Sequence, residues 1–283
     1  MRRSQVLLLL ISFWLIFFSG VYAPAHVSIA DSAKTDEPLV RYYDIFGSKY
    51  SKVEIKDNSL EGAVYYLMSG HGGPDPGALG KYGPYILAED EYAYDVTLRL
   101  ARRLIEHGAL VYLITRDNND GIRDQSILAR DKDERCYPAE VIPVNQMARL
   151  RQRTNAVNRL YRKYRGRYQR LVVLHLDSSS SGENIDVYFY HHQHSRPGYL
   201  LANNIHNAIE AKYREHQPNR PYHGTVSQRS GLYVIRNTHP PTVFIELGNI
   251  RNARDQRRFV LADNRQALAN WIGEGIEKDY ESR

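Results

Sequence analysis

Residues 65–78 read YYLMSGHGGPDPGA, an apolar run that stops abruptly at a histidine set among glycines. A short run rich in β-forming residues that ends in a Gly-Pro loop reads as a buried strand delivering its last residue, His71, to the edge of a sheet. Gly70, Gly72 and Gly73 allow positive φ and leave room beside the imidazole, which suits a histidine offered to a metal or a substrate. The same letters taken alone also describe a strand followed by an ordinary turn, so the weight falls on the rest of the chain.

Downstream, the segment 89–107 carries apolar residues at Tyr92, Val96, Leu100 and Leu104, with Ala93, Ala101 and Ile105 beside them. That is one stripe of an amphipathic helix, closed by Gly108. ALVYLIT (109–115) follows as a buried strand, and a short strand, helix, strand crossover implies a parallel pair. A second helix is expected over 145–164, with its arginines on the outer face. RLVVLHLD (170–177) is another buried strand whose apolar run ends at His175. NIDVYFYHH (184–192) alternates like a strand nearer a sheet edge, and 200–213 reads as a helix. GLYVIRN (231–237) and PTVFIELG (241–248) read as two more strands, the second ending at Glu246, and Trp271, Ile272 and Ile276 place a last helix on the core. Earlier strands are expected at 52–55 and 63–68. The pattern predicts a single three-layer α/β domain, a twisted, mostly parallel (mixed) sheet with helices on both faces.

Length and composition agree with one large domain: 283 residues, 42% hydrophobic and 25% charged. The chain opens with Arg2 and Arg3 and then runs uncharged from Val6 to Ala23, ending in small residues. Residues 1–25 read as a secretory signal peptide, or as an uncleaved anchor, since the run approaches the ~20 residues a membrane span requires. Both alternatives export the body, to the periplasm or the extracellular space. Residues 26–50 read as linker and N-terminal extension, and 51–283 as the catalytic body. Within it, 117–143 has no period and is longer than an ordinary connection, so it is either a lid or rim or a disordered insert.

Cys136 is the only cysteine, which excludes an intramolecular disulfide and a cysteine-built zinc site. Any metal is therefore held by histidine and carboxylate. The formal net charge of +6 falls to +4 without the first 25 residues, which suits either an anionic polymer or an ordinary solvated surface. The Arg- and Tyr-rich stretch RLYRKYRGRYQR (159–170) suggests nucleic acid, but export argues against that partner. HHQH (191–194) reads as a solvated loop.

In open α/β sheets ligands bind outside the carboxyl ends of the strands, where residues distant in sequence converge. Three strand-like runs stop at His71, His175 and Glu246, and a helix opens at Glu89. Two imidazoles and one carboxylate form a common catalytic zinc set, and a further carboxylate can move the proton of a water. Each residue also has a structural alternative: a buried Glu paired with arginine, or a helix-opening Glu favoured by the macrodipole. A serine hydrolase would need a G-x-S-x-G elbow, which the sequence lacks. Cys136 follows no strand and is a poor nucleophile candidate.

From about residue 64 to 275 the chain resembles the zinc-dependent N-acetylmuramoyl-L-alanine amidases of the type-3 class. GHGGPDPGALG resembles that family's first ligand loop, and EDEYAYDVTLRLARRLIEHGALVYLITR its helix and strand with the acidic ligand. LRQRTNAVN is similar to its L-x-x-R…N helix, LHLDSSSSGENIDVYFYHH to its second histidine strand, and LYVIRNTHPPTVFIELGNIRN to its closing motif. The resemblance implies one zinc ion held by His71, Glu89 and His175, with Glu246 as general base and acid. It implies hydrolysis of the amide between N-acetylmuramic acid and the L-alanine of the peptidoglycan stem. The implied partners are peptidoglycan and, where the insert must be moved, an activator protein, with the N-terminal segment touching the membrane if it is retained. The chain departs from the pattern at Met68-Ser69, where Asp-Pro is usual, and at Leu176-Asp177-Ser178. Asp177 adds negative charge that bears on substrate orientation or on the pKa of Glu246. A catalytically silent wall-binding or regulatory protein and a zinc peptidase are the competing readings.

Overall fold

A computed structural model describes residues 39–179 and 182–283; the expected signal or anchor, residues 1–25, lies outside them. In chain order the elements are β1 (Val40–Tyr42), β2 (Lys52–Glu54), β3 (Val64–Ser69), β4 (Leu79–Tyr82), β5 (Tyr85–Ala88) and α1 (Glu89–Glu106). There follow β6 (Leu110–Leu113), β7 (Thr115–Arg116), β8 (Arg135–Cys136), β9 (Glu140–Val141), α2 (Gln146–Lys163) and β10 (Gln169–Asp177). The last are β11 (Tyr188–His191), α3 (Arg196–His216), β12 (Thr225–Gln228), α4 (Tyr233–Asn237), β13 (Thr242–Asn249), α5 (Ala253–Val260) and α6 (Ala262–Glu281). Among the described residues no helix is long and apolar enough to cross a membrane.

The central sheet has the order β12-β11-β13-β10-β3-β6. Its pairs are parallel except β11 with β13, where Tyr188 faces Glu246 across an antiparallel ladder. Alternation along the strands feeds two cores. Tyr65, Leu67, Val172, Leu174, Val243 and Ile245 pack on one face with α1, α3 and α6. Val64, Tyr66, Met68, Leu171, Val173 and Phe244 pack on the other, with Ala156, Val157 and Leu160 of α2. This is the three-layer mixed α/β architecture expected from the strand and helix periods.

Two expectations are corrected. The stretch 26–50 is not linker to its end, because β1 pairs with β2 and Phe46 is buried, so the folded body starts ahead of residue 51. GLYVIRN is not a strand but contains the short helix α4. A strand would send Val234 and Ile235 to opposite faces, whereas both are buried in the α2-side core, and Pro240 and Pro241 follow directly. The edge strand of this region is β12, whose residues are mostly exposed and carry little apolar signal. Of the two readings of the insert 117–143, the structure shows an ordered rim, tied to the body by Arg123 N on Asp95 Oδ1 (2.7 Å) and Asp131 N on Glu91 Oε1 (3.1 Å).

Candidate metal centre

The site lies at the carboxyl ends of β3 and β10, on the face covered by α2. β3 ends at Ser69, and the chain then turns through His71, whose φ of 59° is unusual for a residue with a side chain. Such a conformation costs about 1–3 kcal/mol and persists only when its surroundings enforce it. Here Asp75 Oδ2 sits 2.9 Å from His71 Nδ1, Arg149 holds the same carboxylate oxygen at 2.6 Å, and Arg153 donates to the His71 carbonyl. Both arginines project from the first turns of α2, next to its Asn145 cap, which accepts from Ala148 N at 2.9 Å.

Glu89 opens α1 and joins the two histidines. Its Oε1 lies 2.7 Å from His175 Nδ1 and accepts from Leu176 N at 3.0 Å. Its Oε2 accepts from Ala78 N at 2.8 Å and lies 3.3 Å from His71 Nε2. The imidazoles stand edge to face with centroids 5.0 Å apart. His71, Glu89 and His175 each offer a ligand atom within 4.8 Å of the others, a donor set that could hold a metal ion. Nitrogen and carboxylate donors of this kind suit a first-row divalent cation.

Close packing fixes the rings. His175 stacks on Phe244 at 4.4 Å, and on its other side a Cβ on Gly70 would fall 2.2 Å from Cε1 of the same ring. A Cβ on Gly77 would meet Glu89 Oε2 and His71 Cδ2, both at 2.6 Å. β10 and β13 do not stop at their functional residues but run on to Asp177 and Asn249, and their parallel register pairs His175 with Glu246. Residues paired in register on neighbouring parallel strands share a face. Glu246 is half-buried, and its buried Oε2 has no hydrogen-bond partner among the described residues.

The charges favour a cation between the rings. Burial lowers the pKa of His71, yet Asp75 and Glu89 raise it to about 10 overall. Burial raises the Glu89 carboxyl, but the two histidines overcome that and hold it well below the usual carboxylate range. Burial dominates at His175 and lowers its pKa. Glu246 is pushed well above the usual range by burial, then by Glu89 and Asp177. Asp177, the residue that departs from the family pattern, thus acts on Glu246 in the raising direction.

All four expected site residues are therefore gathered at the carboxyl end of the central strands, three of them in direct contact. Sequence reading missed the roles of Asp75, Arg149 and Arg153, although the DPG turn and the L-x-x-R helix were visible signals. It also missed a buried carboxylate group behind the ligand loop, Asp90, Glu91 and Glu134, where burial lifts Asp90 to about 8 and Glu91 to about 7. Glu134, from the insert, accepts from Gly73 N at 2.5 Å. Cys136 is buried and its thiol is pushed up to about 11 by burial, which leaves it inert. The expectation of a solvated loop at 191–194 holds only in part: His192 and His194 stay in a surface turn, whereas His191 is buried at the end of β11.

The family model of the N-acetylmuramoyl-L-alanine amidases matches residues 66–278, the stretch that carries every element of the site. The chain belongs to that family. Its members act in peptidoglycan amide hydrolysis. A relative, the germination-specific N-acetylmuramoyl-L-alanine amidase of Bacillus subtilis (strain 168), is 24% identical over 221 residues, covering 77% of this chain and 79% of the relative. The fold matches the CwlD amidase from Clostridioides difficile, solved in complex with the GerS lipoprotein. That match has a TM-score of 0.59 and 20% identity, and it covers 78% of this chain and 99% of that one. It also matches the N-acetylmuramoyl-L-alanine amidase AmiC2 of Nostoc punctiforme, with a TM-score of 0.55 and 20% identity, over 79% and 99% of the two chains.

Proposed function

We propose that this amidase is zinc-dependent and cuts the amide between the lactyl group of N-acetylmuramic acid and the L-alanine of the stem peptide. His71, Glu89 and His175 would hold the ion, and Glu246 would be the general base and acid. The observation that carries this reading is the clustering of the three ligand atoms beside a half-buried carboxylate, in register with His175, whose buried Oε2 has no partner among the described residues. A zinc ion held there supplies Lewis-acid polarisation of a carbonyl and acidification of water.

The chain's own residues do the rest. Asp75, itself held by Arg149, receives Nδ1 of His71 and turns Nε2 toward Glu89, and such outer partners orient and strengthen histidine ligands. Glu246 Oε2, free of competing donors, is available to take a proton from water and return it to the departing alanine nitrogen. Its raised affinity for a proton suits that exchange. A silent wall-binding protein would have no use for this convergence.

The same reading sets the enzyme outside the cytoplasm, periplasmic or extracellular, where its polymer lies. An activating partner belongs to it as well, supported by the lipoprotein complex of the Clostridioides difficile relative and by the insert that grips the ligand loop at Gly73. The test is release of stem peptide from purified sacculi. Glu246→Gln should lower the rate by roughly 10²–10⁴-fold while bound zinc stays stoichiometric. Full activity in that variant would sink the assignment, and cleavage of free stem peptide in preference to muramyl peptide would point to a peptidase.

A further inference from the structure

From Val141 to Leu176 the chain has nine basic residues and no Asp or Glu. The remainder of the sequence then holds 29 basic against 32 acidic residues, so this one segment accounts for the whole positive charge of the protein. Three of the nine are committed inside: Arg149 to Asp75, Arg153 to the His71 carbonyl and Arg170 to Asp279. The other six, Arg151, Arg159, Arg162, Lys163, Arg165 and Arg167, are exposed. Among the described residues only Arg159 of these six has an acidic partner, Glu140 at 3.6 Å, with both side chains about half in solvent (50% and 48%). A pair that exposed contributes little.

These six are not scattered. At ~100° per residue, Arg151 and Arg162 lie opposite the buried Arg153, Ala156, Val157 and Leu160, and Arg159 and Lys163 flank them, so the four share an exposed band of α2 roughly 120° wide and about 18 Å long. Arg165 and Arg167 extend the stripe into the turn before β10. The inner side of the same helix grips the metal loop. A chain lying on the stripe is thus separated from the ligand loop by about one helix diameter, ~10–12 Å.

We infer that this basic outer face of α2 is a docking track for the anionic stem peptides of the wall polymer, beside the site that cuts it. The inference rests on the amidase reading above. Charge complementarity and continuity with the ligand loop choose the occupant: stem peptides end in carboxylates, recur along a glycan strand, and are matched by guanidinium forks. A field of one sign over an extended face raises the local concentration of such a polymer and is screened by salt.

The test uses the full chain with Arg151, Arg162, Lys163, Arg165 and Arg167 all changed to Gln, and a second variant carrying only Arg165→Gln and Arg167→Gln in the turn. Binding is read by co-sedimentation with purified sacculi in the Glu246→Gln background, and catalysis with an active enzyme on sacculi and on a short soluble muramyl peptide. The five-fold variant should bind sacculi roughly tenfold or more weakly and show a matching rise in KM on sacculi, with kcat and KM on the soluble peptide unchanged. The turn variant should lose part of the affinity, and added salt should weaken the parent in the same way. Parental sacculus binding in the five-fold variant, salt-insensitive binding by the parent, or tighter binding of the parent to phosphatidylglycerol vesicles or duplex DNA than to sacculi would overturn the inference. If neither substrate is cut while sacculus binding still depends on the stripe, the catalytic reading fails and the track stands.

Discussion

At Gly70 the backbone passes so close to His175 that a single methyl group would fall 2.2 Å from the ring, and Phe244 stacked behind it leaves the ring no retreat. Gly70→Ala should therefore displace a proposed ligand without touching the core. A misplacement of about 1 Å at a reacting centre costs roughly 10²-fold in rate. We expect a loss of that order in stem-peptide release, together with zinc that dialyses away from the variant and not from the parent. Retention of both zinc and activity would show that His175 is not a ligand. The need for glycine here was legible in the sequence as a cluster of glycines around His71. Which of them serve conformation and which serve proximity was not, because the ring that crowds Gly70 comes from a strand about a hundred residues away.

Among the elements, the insert 117–143 changes most between sequence and structure. Its lack of period left lid and disorder equally open, and its order comes from the short β7-β8-β9 ladder, from Ile122 and Leu128 buried in the core, and from tethers to distant partners such as Glu134 on Gly73 N and Asp131 N on Glu91. Leaving a buried N–H without an acceptor costs about 1–3 kcal/mol, so Glu134→Ala should lower stability in urea by that amount. Glu134→Gln keeps the acceptor oxygen and removes a charge from a group of three buried acids, and should leave stability unchanged or higher. Equal destabilisation by both variants would show that the charge, not the acceptor, matters. Helix α4 was misread for a related reason: in five residues, helix and strand patterns differ only by which neighbours bury Val234 and Ile235.

For the whole molecule, the buried acids beside the ligand loop couple stability to pH. Burial raises the folded-state pKa of Asp90 to about 8, helped by Glu91 and Glu134. It raises that of Glu91 to about 7 against the pull of Arg123. A carboxyl raised in this way binds its proton more tightly folded than unfolded. These two groups therefore make stability fall as pH rises from about 4 to about 8. The unfolding midpoint should drop across that window, and Asp90→Asn should flatten the profile and raise the midpoint at its alkaline end. A profile as steep in the variant as in the parent would refute the assignment to Asp90.

The sequence by itself determined the layers and the chemistry types. Periods of two and 3.6 separated strands from helices, and the ends of three apolar runs and the start of a helix marked His71, His175, Glu246 and Glu89. Those signals are local, so they survive without knowledge of neighbours. Only the tertiary structure decided that His175 and Glu246 stand in register, that Glu89 reaches both imidazoles, and that Asp75, Arg149 and Arg153 hold His71 in its left-handed turn. These are contacts between residues up to about ninety positions apart, set by which strand lies beside which and which face α2 covers, and no local pattern encodes that adjacency.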